Sequence, residues 1–199
     1  MSRRLLALGL LLLGLGGVLQ GSWIFCKAAF AQVLLRRAWA EARAGDQRAR
    51  PWPWADTWPV ARLVSPARGV DLIVLEGATG SSIAFGPGHI QGSALPGSLG
   101  NVALAGHRDT HFRFLQQLEP GEQLWLELPS GAVQRYEVQS ESVVDEKDTR
   151  LLEASGQWLT LVTCYPFDAA IPGGPLRYVV RARPAREHAT GDTKYPERG

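Results

Sequence analysis

Cysteine is nearly absent from this chain: there are two in 199 residues, Cys26 and Cys164. Cys26 ends an apolar N-terminal stretch, whereas Cys164 follows a β-branched run in the part expected to fold. A bridge between them would press the folded part onto a bilayer surface, so both thiols are read as unpaired. A charge of one sign is also lacking, since 21 Lys+Arg face 19 Asp+Glu. Much of the positive excess is local, in Arg3, Arg4, Lys27, Arg36, Arg37, Arg43, Arg48 and Arg50. That distribution argues against a nucleic-acid-binding face on a folded domain. No internal repeat is present, and no phosphate-cradling loop. GPGHIQG, residues 86–92, departs from the GxGxxG and Walker patterns, has no helix after it, and reads as a β-turn loop. HExxH is missing too. His107 and His111 stand four apart and could join Cys164 on zinc, but Gly106 before them signals a strand end rather than a helix. No metal and no cofactor is expected.

The one long hydrophobic run is N-terminal. LLALGLLLLGLGGVLQGSWIF, Leu5 to Phe25, carries no charge, and as a helix it would span ~30 Å, about a bilayer core. Arg3 and Arg4 before it place the N-terminus in the cytoplasm and the remainder outside. A cleavable signal peptide is the rival reading, because Ala29-Phe30-Ala31 has the A-x-A form. The apolar core is longer than the ~7–15 residues of a usual h-region, which favours an uncleaved signal-anchor. The expectation is a single-pass protein of the cytoplasmic (inner) membrane with its folded part extracytoplasmic, periplasmic in a Gram-negative cell. Residues 1–26 are then flank and span, and 27–59 a juxtamembrane helix and linker. The helix, stopping near Gly45, is expected to lift the domain off the lipid. Trp52, Trp54 and Trp58 of the linker are expected to pack on the domain's own surface rather than at the lipid headgroups.

From about residue 60 the texture changes to short strands separated by Gly and Pro. The strands expected are Val60–Ser65, Val70–Glu76, Ser81–Phe85, Asn101–Ala105, Gln123–Leu128, Val133–Gln139, Ser142–Val144, Trp158–Val162 and Arg177–Arg183. Those flanking Pro129–Ala132 read as a hairpin. Asp109 is placed to cap a brief helix with Phe112, Leu115 and Leu118 on one face. So many short strands indicate an all-β closed barrel or a sandwich over residues 60–183. The tail, 184–199, is polar and expected to be disordered.

An unpaired cysteine in an oxidising compartment is a liability unless buried or used. A cysteine nucleophile needs help to form its thiolate, a proton donor for the leaving group and a donor for the developing oxyanion. Histidine suits the first two roles and arginine the third. Each occurs at the end of an expected strand: His107 after NVALAG, Cys164 after WLTLVT, Arg177 opening RYVVRAR. Taken singly, each has a duller explanation as a core thiol, a strand-end imidazole or a surface arginine. Asp109 could orient His107, Asp168 reads as a turn residue, and His89 as structural.

TLVTC, residues 160–164, matches the TLxTC signature of the sortases, cysteine transpeptidases of bacterial surfaces. NVALAGHRDTHFRFLQQLEPGEQLWLEL resembles the sortase histidine block and GGPLRYVVRAR the arginine block. The resemblance covers about residues 60–183, and GHRD with CYPFDA…GGPLRY is most similar to the Gram-negative type. It implies a closed eight-stranded β-barrel and a reaction on an LPxTG-like C-terminal sorting signal of a target protein. Cys164 would form the thioester, His107 move the protons and Arg177 stabilise the oxyanion or hold the substrate backbone. An amine acceptor at the cell surface would complete the transfer. Thr163 would contribute to the substrate groove, and His111 is the further histidine expected to approach substrate. A thiol hydrolase without transfer and a silent surface-binding barrel remain as alternatives.

Overall fold

After residue 58 the alternating stretches become eight strands. In the computed structural model, which describes residues 11, 14, 29–80, 82–148, 155–169, 171 and 173–185, β1 is Pro59–Ser65, β2 Val70–Glu76, β3 Gly88–His89 and β4 Asn101–Ala105. β5 is Gln123–Glu127, β6 Val133–Asp145, β7 Trp158–Tyr165 and β8 Leu176–Pro184. They close into a barrel in the order β1-β2-β3-β4-β7-β8-β6-β5. Closure leaves no free sheet edge among these strands. Apart from Leu11 and Gly14, the apolar stretch Leu5–Phe25 and Cys26 lie outside the described residues, as does the tail from residue 186. Among the described residues no helix is long and apolar enough to cross a membrane.

Period-two alternation decides what faces inward. Leu63, Val74, Leu104, Leu124, Leu126, Leu159, Leu161 and Val180 form one buried core. Phe112, Leu115 and Leu118 join it. These three belong to the segment expected to be a capped helix, and here the structure differs. Arg113–Gln117 is a 3-10 helix whose N-cap is Phe112, with no side-chain cap. A spacing of three suits three residues per turn. The Phe112 amide donates to the His107 carbonyl at 2.9 Å, so main chain closes the turn that Asp109 was expected to cap.

Three further expectations are corrected. Residues 82–85 form turns, not a strand, because the Ser82 hydroxyl hydrogen-bonds the Gly77 and Thr79 carbonyls, each at 2.8 Å, and bends the chain back. The glycine-rich loop instead supplies β3, which pairs in parallel with β2. The two strands expected at Val133–Gln139 and Ser142–Val144 are one strand, β6, with an irregularity between Val138 and Ser140 in its pairing with β8.

An α-helix, α1, covers residues 29–43. It packs against the barrel. Leu35 and Trp39 bury themselves against Ile73 and Leu75 on the outer side of β2, and Gln32 donates to the Phe85 carbonyl at 2.9 Å. Burying a side chain of this size contributes about 1.5–3 kcal/mol, enough to keep α1 docked. Trp52 meets the Phe85 ring edge-on at 4.9 Å, on the domain's surface as expected, and Trp58 lies under Arg48 of the linker itself at 5.2 Å. Trp54 is 82% exposed and departs from that expectation.

Gly88 shows why β3 is where it is. A Cβ there would stand 2.2 Å from the Gly77 carbonyl oxygen, an approach only glycine allows. Gly88→Ala should therefore lower the unfolding free energy by about 3 kcal/mol, at the upper end for overpacking. Denaturant unfolding checks this; a loss below about 0.5 kcal/mol would mean that the loop yields freely.

Candidate active site

The strand register gathers the residues of interest. β4 runs parallel to β7, pairing Asn101 with Trp158 and Ala105 with Val162, a constant offset of 57 positions. His107 follows Ala105 by two residues and Cys164 follows Val162 by two. His107 thus lies two residues past the end of β4, next to the strand that carries Cys164. β8 runs antiparallel to β7 and pairs Arg177 directly with Cys164. Cross-strand neighbours of this kind have Cβ atoms ~4.5–5.5 Å apart on one face. Along β7, Leu159, Leu161 and Thr163 are buried while Val162 and Cys164 are half-exposed. Cys164 and Arg177 therefore share the outer face of the barrel wall. His107 is exposed at the rim.

Thr163 is not in a groove. It is 3% exposed, and its hydroxyl donates to the Gly106 carbonyl at 2.7 Å. The Gly106 amide donates to the Val162 carbonyl at 3.2 Å. The residue before Cys164 is thus tied to the residue before His107, from inside the barrel. Strand alternation turns the Thr163 side chain away from the face that carries the thiol. Gly106 has its own steric reason. A Cβ there would meet the buried Phe112 ring at 2.9 Å.

Two residues that the sequence reading passed over take part in this rim. Arg108 is buried at 7% exposure, and its Nη2 donates to the Ala169 and Ile171 carbonyls, both at 2.9 Å. It holds the β7–β8 connection against the segment after β4; Asp168 lies in a turn of that connection. A guanidinium so placed signals itself in sequence only as one more arginine in HRD. Glu146, just after β6, accepts from the Arg177 Nη2 at 2.5 Å. Arg177 Nη1 donates to the Gly174 and Leu176 carbonyls at 2.7 and 3.0 Å.

His111 lines a surface groove of about 470 Å³ with Val70, Leu72, Thr110, Arg113 and Phe114. Burial first, then the nearby His107, hold its imidazole below the ordinary value, and Asp109 opposes them. His89 is 1% exposed, its Nε2 within 3.0 Å of the Ala94 carbonyl, and it is a structural residue. Tyr178 stands beside Arg177 in sequence but faces the other way, packed on Phe167 at 5.2 Å. Burial, and then the Glu141 carboxylate that accepts its hydroxyl, raise its phenol far above the ordinary range. Tyr178 is therefore no proton-transfer group at neutral pH.

A family model described as Sortase domain matches residues 63–185. Sortase D of Bacillus subtilis (strain 168) is 37% identical over 120 residues, which cover 59% of this chain and 60% of that protein. The chain thus spans about 60% of the length of this curated relative. Sortase A from Corynebacterium diphtheriae has a similar structure, with a TM-score of 0.60 at 26% identity over 72% of this chain and 66% of that one. Sortase E1 from Streptomyces coelicolor, solved with a tripeptide in the active site, gives 0.56 at 26% identity over 64% and 88%.

Two outcomes follow from this geometry. Thr163→Val removes a buried donor and leaves the Gly106 carbonyl bare, which should cost about 1–3 kcal/mol in denaturant unfolding, while Thr163→Ser keeps most of it. Equal stability of the valine and serine variants would contradict the tie. The folded chain also resists protonating His111, whereas the unfolded chain takes up that proton as pH falls below 6.5. The stability contribution is present in full above 6.5 and is lost as pH falls through the lower folded value. The unfolding free energy of His111→Gln should decline less than that of the wild type as pH is lowered from 6.5; an unchanged slope would contradict this account.

Proposed function

The chain belongs to the sortase family, and on that footing we propose that it is a cysteine transpeptidase acting on an LPxTG-like C-terminal sorting signal. The observation that supports the reading is the strand order: β7, which carries Cys164, runs between β4, which ends two residues before His107, and β8, where Arg177 pairs with Cys164. Cys164 Sγ attacks the carbonyl carbon between Thr and Gly of the signal. The carbonyl π electrons move onto oxygen, and Arg177 donates to that oxyanion. Collapse breaks the C–N bond, and His107 gives a proton to the departing glycine amine, leaving a thioester. An acceptor amine then attacks the thioester, His107 takes its surplus proton, and the C–S bond breaks as the new amide forms, which returns the Cys164 thiolate and the protonated His107 with which the cycle began.

The finer parts of the proposal rest on sequence. Leu5–Phe25, with Arg3 and Arg4 before it, supports a single-pass anchor in the cytoplasmic membrane with the barrel outside. The segments GHRD and CYPFDA…GGPLRY support the Gram-negative type, whereas the relatives named above are of the D, A and E types. In that reading His111 and its groove receive part of the bound partner, which is either the sorting signal or the amine acceptor.

Cys164→Ala should fold as the wild type does by circular dichroism yet form no thioester with a sorting-signal peptide by intact-mass measurement. The wild type should show the acyl-enzyme, and added amine should divert it from hydrolysis to a new amide. Transfer by the alanine variant would overturn the proposal; hydrolysis unaltered by amine would favour a thiol hydrolase, and no thiol-dependent product a silent binding barrel.

A further inference from the structure

Resting on the reading of Arg177 as the oxyanion donor, we propose that Glu146 is a positioning residue for this reaction, fixing the guanidinium of the residue that pairs with Cys164 across β7 and β8. The argument begins in the turn that ends β6. The Asp145 carboxylate accepts from the Lys147 amide at 2.9 Å, and the Asp145 carbonyl from the Asp148 amide at 3.0 Å. This is the local turn that an aspartate favours. The Glu146 amide donates to the Pro175 carbonyl at 2.6 Å, which pins the turn to the residues that lead into β8. Glu146 therefore has its backbone fixed on both sides before its side chain acts. Its carboxylate then meets Arg177 Nη2 at 2.5 Å.

Donor accounting shows what this does. An arginine carries five N–H groups. Both hydrogens of Arg177 Nη1 are taken by the Gly174 and Leu176 carbonyls, and one of Nη2 by Glu146. Among the described residues, Nε–H and the second Nη2–H remain uncommitted. Three hydrogen bonds leave the guanidinium plane little freedom, and the two uncommitted donors are the ones left for a ligand. Without Glu146 the end of the side chain would be held only by backbone carbonyls on its Nη1, and rotation about the Cγ–Cδ and Cδ–Nε bonds would be less restrained. The pair is partly exposed, at 25% for Arg177 and 42% for Glu146. Its loss should disturb orientation more than stability.

The test uses the full chain with a sorting-signal peptide and an added amine. Glu146→Ala should lower kcat about tenfold, with KM for the peptide within about twofold, because a misaimed donor costs transition-state stabilisation rather than binding. Glu146→Gln, which keeps an acceptor but no charge, should recover part of that loss. The rate of Cys164 alkylation and the thermal midpoint should stay at wild-type values in both variants. In an Arg177→Ala background, single-turnover thioester formation should be the same whether residue 146 is Glu or Ala, since Glu146 acts only through the arginine. Wild-type kcat in Glu146→Ala, a change confined to KM, or an undiminished loss in the Arg177→Ala background would each overturn the inference. If the wild type itself forms no thioester, the functional reading fails and this inference falls with it; if it does and residue 146 is indifferent, only the inference fails.

Discussion

The parallel pairing of β4 with β7 is the contact on which the rest of the rim depends. Parallel strands cannot be joined by a short turn, and the chain between this pair carries β5 and β6. Its register holds a constant offset of 57 positions, and it puts the end of β4, two residues before His107, next to the strand that carries Cys164. A slip of one residue would turn every side chain of β7 to the other face and send the thiol into the barrel interior. The Thr163 hydroxyl on the Gly106 carbonyl secures the register at the place where the ladder ends and β4 can no longer enforce it.

Polar groups at this rim divide by burial, and the division matches what each can do. Arg108 is almost fully buried and spends Nη2 on two backbone carbonyls. Removing such a guanidinium would take the donor from both carbonyls. Arg177 and Glu146 are partly exposed, and pairs of that kind are worth about 0–1 kcal/mol. Stability is thus drawn from the buried hydrogen bonds and the apolar core. The exposed charges are free to be arranged for orientation, because little of the fold rests on them. α1 follows the same economy, docking through Leu35 and Trp39 on Ile73 and Leu75 while its salt bridge, Arg37 with Glu41, stays at the surface.

Legibility in the sequence tracked the range of the interaction concerned. β2 and β4 were readable to the residue, as Val70–Glu76 and Asn101–Ala105, since their apolar runs are bounded by local turn residues. The hairpin of β5 and β6 was readable from Pro129–Ala132. Ser81–Phe85 has strand composition, yet Ser82 bonds back to Gly77 and Thr79, and composition does not register a side chain that closes its own turn. β3 was missed for the opposite reason. Gly88 looks like punctuation until the Gly77 carbonyl arrives 11 positions away in sequence and within 2.2 Å of where a Cβ would be. Thr163 was legible as part of a motif, but its direction was not, because the face a strand residue occupies is set by its neighbours. Arg108 and Glu146 carried no local signal at all, since their partners lie on segments distant in the chain.

The sequence by itself determined the residue types and their order. It carried a lone cysteine after an apolar β run, a histidine and an arginine at strand ends, and an alternation that can bury only one face of each strand. Those are properties of short stretches, governed by local propensity and periodicity. Only the tertiary structure decided which strand ends meet, which way Thr163 points, and that Arg177 is gripped by Glu146 and two carbonyls. Barrel closure brings β4, β7 and β8 side by side, and contacts made by closure depend on register between strands far apart in the chain, a quantity that no short stretch contains.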